Sequence, residues 1–345
     1  MAENLTVERS RVPLTKDDFV SDQMVKWCPG CGAHAILSSI ANVFPKIGYR
    51  KENFCIVSGI GCSSRFPYYV NTYGFHGIHG RANAIATGVK VANPHLSVWI
   101  ATGDGDSMAI GGNHFIHIIR RNVDVNILLF NNQIYGLTKG QYSPTTPMGS
   151  ITKTSPQGTI EHPFNPGELV MGAQGTFFAR AVDTNPKLMT EVMFEAARHD
   201  GTSVIEILQN CVIFADDTHH QVTAKDLRAN NQLILKNGEP MLFGKENEKG
   251  IRLTTTGLEV VTLGENDVTE KDILVHDQYA QDPGIHLMLA KMQPPYFPVA
   301  LGVIRSAMYP TYDDLVVEQI NFAKENSNIK TVDDLLNSGE TWEIK

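Results

Sequence analysis

The chain has 345 residues, 42% hydrophobic and 19% charged, with a formal net charge of −8. That length holds one large domain or two ordinary ones, and the composition is that of a globular protein. The acidic balance and the lack of a basic block predict no nucleic-acid partner, and no apolar run approaches the roughly 20 residues that span a bilayer.

The N-terminal stretch MAENLTVERSRVPLTKDDF is polar and mixed in charge. It lacks the apolar segment of a secretory signal, so the sequence predicts a cytoplasmic protein that binds no membrane. Residues 1–24 read as an arm without its own core. CGAHAILSSIANVF has helical spacing in Ala35, Leu37, Ile40, Ala41 and Phe44. NFCIVSGIG reads as a buried strand ending in glycines, and GRANAIATGVKVAN as a helix of small residues able to pack closely on a sheet. LSVWIATGDGD is a second strand, ending in a Gly/Asp loop. Ser107 to Asn122 is predicted to be helical, with Phe115, Ile118 and Ile119 on one face. VNILLFNN is a third buried strand. GTFFARAVD, PKLMTEVMFEAARHDG and TSVIEILQNC predict strand, helix and strand. Strands apolar on both faces and alternating with helices predict an α/β fold with a doubly wound, mostly parallel sheet.

Residues 138–168 are rich in Thr, Pro, Gly and Ser, and a loop of that length inside a domain is usually functional or mobile. After Cys211 the chain becomes more charged. Residues 25–235 are expected to form the binding domain, and residues 236–345 a C-terminal extension of helices and loops. The extension contains QPPYFPVALGVIRSAMYPTYDD, whose prolines suit an extended segment laid over another surface.

In open α/β sheets, ligands bind at the carboxyl ends of the strands. GDGD and NNQIYG both fall there, and the helix between them returns the chain so that the two strand ends meet. Asp104, Asn132 and a nearby backbone carbonyl are hard oxygen ligands, suited to Mg²⁺ that shares its remaining positions with a phosphate. The glycines let backbone N–H groups approach a pyrophosphate, and the following helix offers its positive N-terminal end. Taken singly, each motif could be an unrelated turn. The 25 residues between GDG and NN, with a strand before each, join them into one site.

The five cysteines are Cys28, Cys31, Cys55, Cys62 and Cys211. An odd count without an export signal argues against a disulfide framework. Cys28 and Cys31 form C-x-x-C in a Pro/Gly loop, while Cys62 and Cys211 follow predicted strands, so four thiolates can converge. Four cysteines suit zinc or an iron–sulfur cluster, and spacing does not separate the two. Cys55 lies within its strand and reads as a buried thiol; Cys62 is favoured over it by a glycine-flanked loop. The DDTHH run (Asp216, Asp217, His219, His220) contains metal-ligand types but reads as a solvated loop.

WCPGCG, GIGCSS, HGIHGRANAIATGVK, GDGD and NNQIYGLTKGQYSPTT occur in this order over about residues 20–235. In them the chain resembles the β subunit of the 2-oxoacid:ferredoxin oxidoreductases, most closely the 2-oxoglutarate type. The resemblance implies a thiamine-diphosphate-binding sheet of the diphosphate half, followed by a C-terminal extension. It implies Mg²⁺ on Asp104, Asn132 and the backbone carbonyl of Ile134, and thiamine diphosphate lined by Ile60, Gly61, Cys62, Ser63, His79, Gly105, Asp106, Gly136 and Leu137. It also implies a 4Fe–4S cluster on Cys28, Cys31, Cys62 and Cys211. His79 and Lys139 are the candidate catalytic residues. His79 also reads more simply as a hydrogen-bonded residue in a loop leading into a helix. Lys139 follows directly from the Asn132 loop. A Lys beside a cofactor pocket is costly without an anionic partner, and 2-oxoglutarate offers a distal carboxylate. A solvated Lys on a mobile loop is the plainer alternative.

The implied reaction is CoA-dependent oxidative decarboxylation of 2-oxoglutarate to succinyl-CoA and CO2, with electrons passed through the cluster to ferredoxin. The chain carries one thiamine-type half, so the resemblance implies an α subunit with the pyrimidine-binding domain, an (αβ)2 assembly and no activity of this chain alone. A pyruvate or broad-range 2-oxoacid enzyme is the nearest alternative. A non-redox thiamine decarboxylase subunit would leave four cysteines unexplained, and a zinc-stabilised binding protein would leave GDG…NN unexplained.

Overall fold

A computed structural model describes residues 8–342 and 344. Its centre is an eight-stranded sheet of β1 (Phe54–Ser58), β2 (Tyr73–His76), β3 (Ser97–Gly103), β4 (Val125–Asn131), β5 (Phe177–Val182), β6 (Thr202–Leu208), β7 (Gln232–Ile234) and β8 (Val299–Ser306). The strand order is β2-β1-β3-β4-β6-β5-β8-β7. The first six run parallel, and β8 lies antiparallel to β5 and parallel to β7.

The apolar runs reflect two cores, one on each face of this sheet. Phe54, Ile56, Trp99, Leu128 and Phe130 point into one core, beneath helices α1 (Ala33–Ile47) and, further on, Pro186–Ala196. Cys55, Val57, Val98, Ile100, Ile127 and Leu129 point into the other, beneath α2 (Ala82–Ala92) and Gly112–Arg121. Successive strand residues face opposite ways, so a strand covered on both sides must be apolar throughout. In the first core Phe44 stacks on Phe54 at 4.3 Å, and its ring meets Trp99 at 5.4 Å. Phe19, fully buried against Phe44 and Phe54, pins the N-terminal arm to this core. Burying such a ring contributes about 1.5–3 kcal/mol. Residues 1–7 of the expected arm lie outside the described residues.

Two expectations are corrected. The helix expected over Ser107–Asn122 is two helices, α3 (Asp104–Met108) and α4 (Gly112–Arg121). The chain breaks at Ala109, and the Gly111–Gly112 pair, each residue costing about 1 kcal/mol inside a helix, makes the break cheap. Asp104 therefore opens a five-residue helix instead of preceding a long one. The C-terminal extension is also more than helices and loops. Leu242–Phe243, Lys249–Thr254 and Gly257–Thr262 form a three-stranded antiparallel sheet. The proline-flanked VALGVIRS does not lie over another surface; it is β8, inserted between β5 and β7 of the main sheet. Its prolines stand outside the strand, where no ladder bond is lost. The boundary expected at residue 235 thus falls within one continuous sheet.

From β1 the chain steps outward to β2 and returns through α2 to β3 on the other side of β1. The carboxyl ends of β1 and β3 therefore flank a topological switch point, where open α/β sheets bind ligands. Among the described residues no helix is long and apolar enough to cross a membrane.

Candidate active site

A cleft of about 590 Å³ opens at this switch point. The turn after β1 supplies Ile60, Gly61, Cys62 and Ser63, and the loop after β2 supplies His79. The end of β3 and α3 supply Asp104, Gly105 and Asp106, and the segment after β4 supplies Asn132, Ile134, Gly136 and Leu137. Every expected thiamine-diphosphate and Mg²⁺ residue lines this one cleft. Strands β3 and β4 are hydrogen-bonded neighbours, with Gly103 opposite Phe130, so GDGD and NN do end side by side.

Asp104 is wholly buried, and among the described residues it pairs with no cation. Its Oδ2 accepts hydrogen bonds from Ser143 Oγ at 2.5 Å and Thr145 Oγ1 at 2.5 Å. Burial outweighs these donors and pushes the carboxyl up to about 6. A buried carboxylate of this kind fits a divalent cation, which would hold it ionised. Asn132 Oδ1 accepts from Ile134 N–H at 3.2 Å, which fixes the turn between them, and the Ile134 carbonyl accepts from Gly136 N–H at 3.0 Å. The preceding Asn131 does different work. Its amide donates to Glu206 at 2.7 Å, and Glu206 is paired with Arg180 at 2.6 Å inside the sheet. Asp106 accepts from Gly80 N–H at 2.8 Å and Thr102 Oγ1 at 3.0 Å, tying the His79 loop to α3.

Two glycines permit close approach. A Cβ on Gly105 would stand 2.3 Å from the Tyr135 ring, whose hydroxyl donates to the Gly105 carbonyl at 3.0 Å. Burial, with the charges of Asp104 and Asp106, pushes that phenol up to about 12, so Tyr135 remains a neutral donor. A Cβ on Gly136 would stand 3.4 Å from Cys211 Sγ, so the cleft wall rests directly on that sulfur.

Behind this wall lie Cys28, Cys31, Cys62 and Cys211, all unbridged. Cys62 is pushed up to about 11, first by burial and then by the charges of Cys31, Cys211 and Cys28. Cys31 is raised by burial and by Cys211 and Cys28. Among the described residues no three potential ligands lie close enough to share a single metal ion. Four free thiols near enough to raise one another are the donor set that an iron–sulfur cluster takes. Cys55 points into the opposite core, and burial alone pushes it up to about 11.

Lys139 is the one expected catalytic residue outside the cleft wall, which ends at Thr138. It is exposed, with left-handed backbone (φ 79°), at the cleft mouth. Sequence reasoning missed Ser143, Thr145 and Tyr135, and the lining residues Arg65, Tyr68 and His76. It also misread DDTHH as wholly solvated: His219 is buried, with its ring at 2.9 Å from the Asn131 carbonyl.

Fold and cleft together define the diphosphate-binding half of a thiamine enzyme, and residues 59–207 match the thiamine pyrophosphate enzyme family, C-terminal TPP binding domain. The chain is 46% identical to the 2-oxoglutarate oxidoreductase subunit KorB of Mycobacterium tuberculosis, over 100% of this chain and 92% of that one. It is 42% identical to the 2-oxoglutarate synthase subunit KorB of Archaeoglobus fulgidus, over 61% of this chain and 77% of the relative. Its structure is similar to that of a 2-oxoglutarate:ferredoxin oxidoreductase from Magnetococcus marinus with 2-oxoglutarate, coenzyme A and succinyl-CoA bound. That likeness has a TM-score of 0.77 at 29% identity and covers 97% of this chain and 100% of that one. The chain belongs to the family of 2-oxoacid:ferredoxin oxidoreductase β subunits, and within it to the 2-oxoglutarate type.

Proposed function

We propose that this chain is the β subunit of a cytoplasmic 2-oxoglutarate:ferredoxin oxidoreductase that binds thiamine diphosphate, Mg²⁺ and a 4Fe–4S cluster. The reaction converts 2-oxoglutarate, CoA and two oxidised ferredoxins to succinyl-CoA, CO2, a proton and two reduced ferredoxins. One observation carries this reading: Cys62 belongs both to the cleft wall and to the group of four thiols.

Asp104, Asn132 and the Ile134 carbonyl would hold Mg²⁺, and Cys28, Cys31, Cys62 and Cys211 would hold the cluster. When bound, thiamine diphosphate supplies the nucleophilic carbon and electron sink for decarboxylation, and the cluster accepts electrons singly. Ser143 and Thr145 fix the Asp104 carboxylate, so the diphosphate meets a preset charge. Tyr135 and Gly105 shape the wall on which the cofactor rests. His79 stands at the exposed side of the cleft, within reach of an entering substrate. Lys139, at the mouth, suits the distal carboxylate of 2-oxoglutarate. Cys62 would hold the cluster against the cleft wall, and the exposed Cys28 would bring its far side to the surface, where ferredoxin would dock.

The cleft mouth also supports a partner subunit. Edge strand β2 is exposed along its whole length. Tyr68, Tyr73, Phe75, Ile78 and Leu137 are exposed around it. An apolar edge strand of this kind is normally covered. An α subunit carrying the pyrimidine-binding domain, in an (αβ)2 assembly, would cover it and complete the site. Anaerobic co-expression with that subunit tests the proposal: the complex should carry about four irons and one thiamine diphosphate per β chain. Zinc in place of iron, or a colourless complex, would refute it.

A further inference from the structure

Gln209 is the residue directly after β6, two positions before Cys211, and it is buried. Its side-chain nitrogen donates to Cys31 Sγ at 3.3 Å. Among the described residues this is the only side-chain hydrogen bond to a cysteine sulfur. The side chain is held by backbone on both sides. Gln209 N–H donates to the Asn131 carbonyl at 3.0 Å, and Asn210 N–H donates to Asp183 Oδ2 at 2.8 Å. The same Asp183 carboxylate packs so tightly on Gly32, next to Cys31, that a Cβ there would lie 2.0 Å from it. The loop carrying Cys31 and the loop carrying Cys211 are thus clamped together with the amide between them.

We propose that Gln209 is a positioning residue that sets the reduction potential of the electron-accepting centre through its hydrogen bond to Cys31. The inference rests on the reading that the four cysteines hold a cluster. Adding an electron to such a centre places more negative charge on its sulfurs. An N–H aimed at one of them stabilises the reduced form more than the oxidised form and so raises the potential. A metal-bound thiolate only accepts, so the nitrogen of the Gln209 amide, not its oxygen, must face Cys31.

The test is an anaerobic redox titration of the assembled enzyme, followed by electron paramagnetic resonance. Gln209→Met keeps the volume and removes the donor. Its one-electron equilibrium constant should shift about three- to tenfold toward the oxidised form, a tenfold change reading as about 59 mV. Gln209→Glu, which puts a carboxylate at the same place, should shift it further in the same direction. Potentials unchanged in both variants, with iron content intact, would overturn the inference while leaving the cluster reading standing. Zinc or no paramagnetic signal in the wild type would overturn the cluster reading itself. Should either variant lose its iron, wild-type enzyme labelled with ¹⁵N-glutamine decides. Coupling of a side-chain ¹⁵N to the reduced centre is expected, and its absence refutes the hydrogen bond.

Discussion

Replacing Asp104 by Asn keeps the shape of a buried side chain and removes its charge. In the unfolded chain this carboxyl ionises near 3.8; folding raises it to about 6, chiefly through burial. Between those values the folded state binds more protons than the unfolded one, so the contribution of Asp104 to stability falls as pH rises through this window. That rise corresponds to about 3 kcal/mol, a cost present in full near pH 7 when no cation is bound. The assay is denaturant unfolding of both proteins, stripped of cofactor and kept in chelator, across pH 4 to 7. The stability of Asp104→Asn relative to wild type should climb by about 2.4 kcal/mol over that range, whatever constant offset the new amide brings. Adding Mg²⁺ and thiamine diphosphate should then cancel most of that gain. A ligand at a hundred times its Kd stabilises the wild type by about 2.7 kcal/mol, and the variant should gain little. A difference curve flat between pH 4 and pH 6 would show that Asp104 is not a charge held out of water, and the reasoning from burial to metal binding would fail.

Cys62→Ala should abolish cluster iron, whereas Cys55→Ala, on the far face of the sheet, should retain it; metal analysis separates the two. Gly105→Ala places a methyl 2.3 Å from the Tyr135 ring, an overpacking that should cost about 1–3 kcal/mol and weaken thiamine diphosphate binding, both read by thermal melts with and without cofactor. Lys139→Ala, assembled with its α subunit, should lose roughly ten- to a hundredfold in kcat/KM for 2-oxoglutarate and much less for pyruvate. Equal losses on the two substrates would remove Lys139 from substrate recognition.

The sheet was legible in the sequence wherever both faces of a strand are covered, because LSVWIATG and VNILLFNN then carry apolar residues without a break. Asp104 and Asn132 were legible because a strand precedes each, and paired strands bring their ends together. Strand β8 has the same double-sided pattern, but its flanking prolines disguised it as a surface segment. Ser143 and Thr145 were not legible. Hydroxyls in a Thr- and Pro-rich loop have no periodicity, and only the fold reveals that they reach Asp104. His219 was hidden in the same way, since a His beside Asp216 and Asp217 reads as solvated until the chain buries it under β4. Gln209 looked like the polar end of a strand, and only the convergence of two loops puts its amide against Cys31.

The most direct measurement is anaerobic reduction of ferredoxin by the α–β complex, with each component omitted in turn. Reduction should require both 2-oxoglutarate and CoA, run faster with 2-oxoglutarate than with pyruvate, and yield succinyl-CoA with two reduced ferredoxins per CO2 released. Release of CO2 from 2-oxoglutarate without ferredoxin reduction, by a complex that holds its iron, would contradict the assignment.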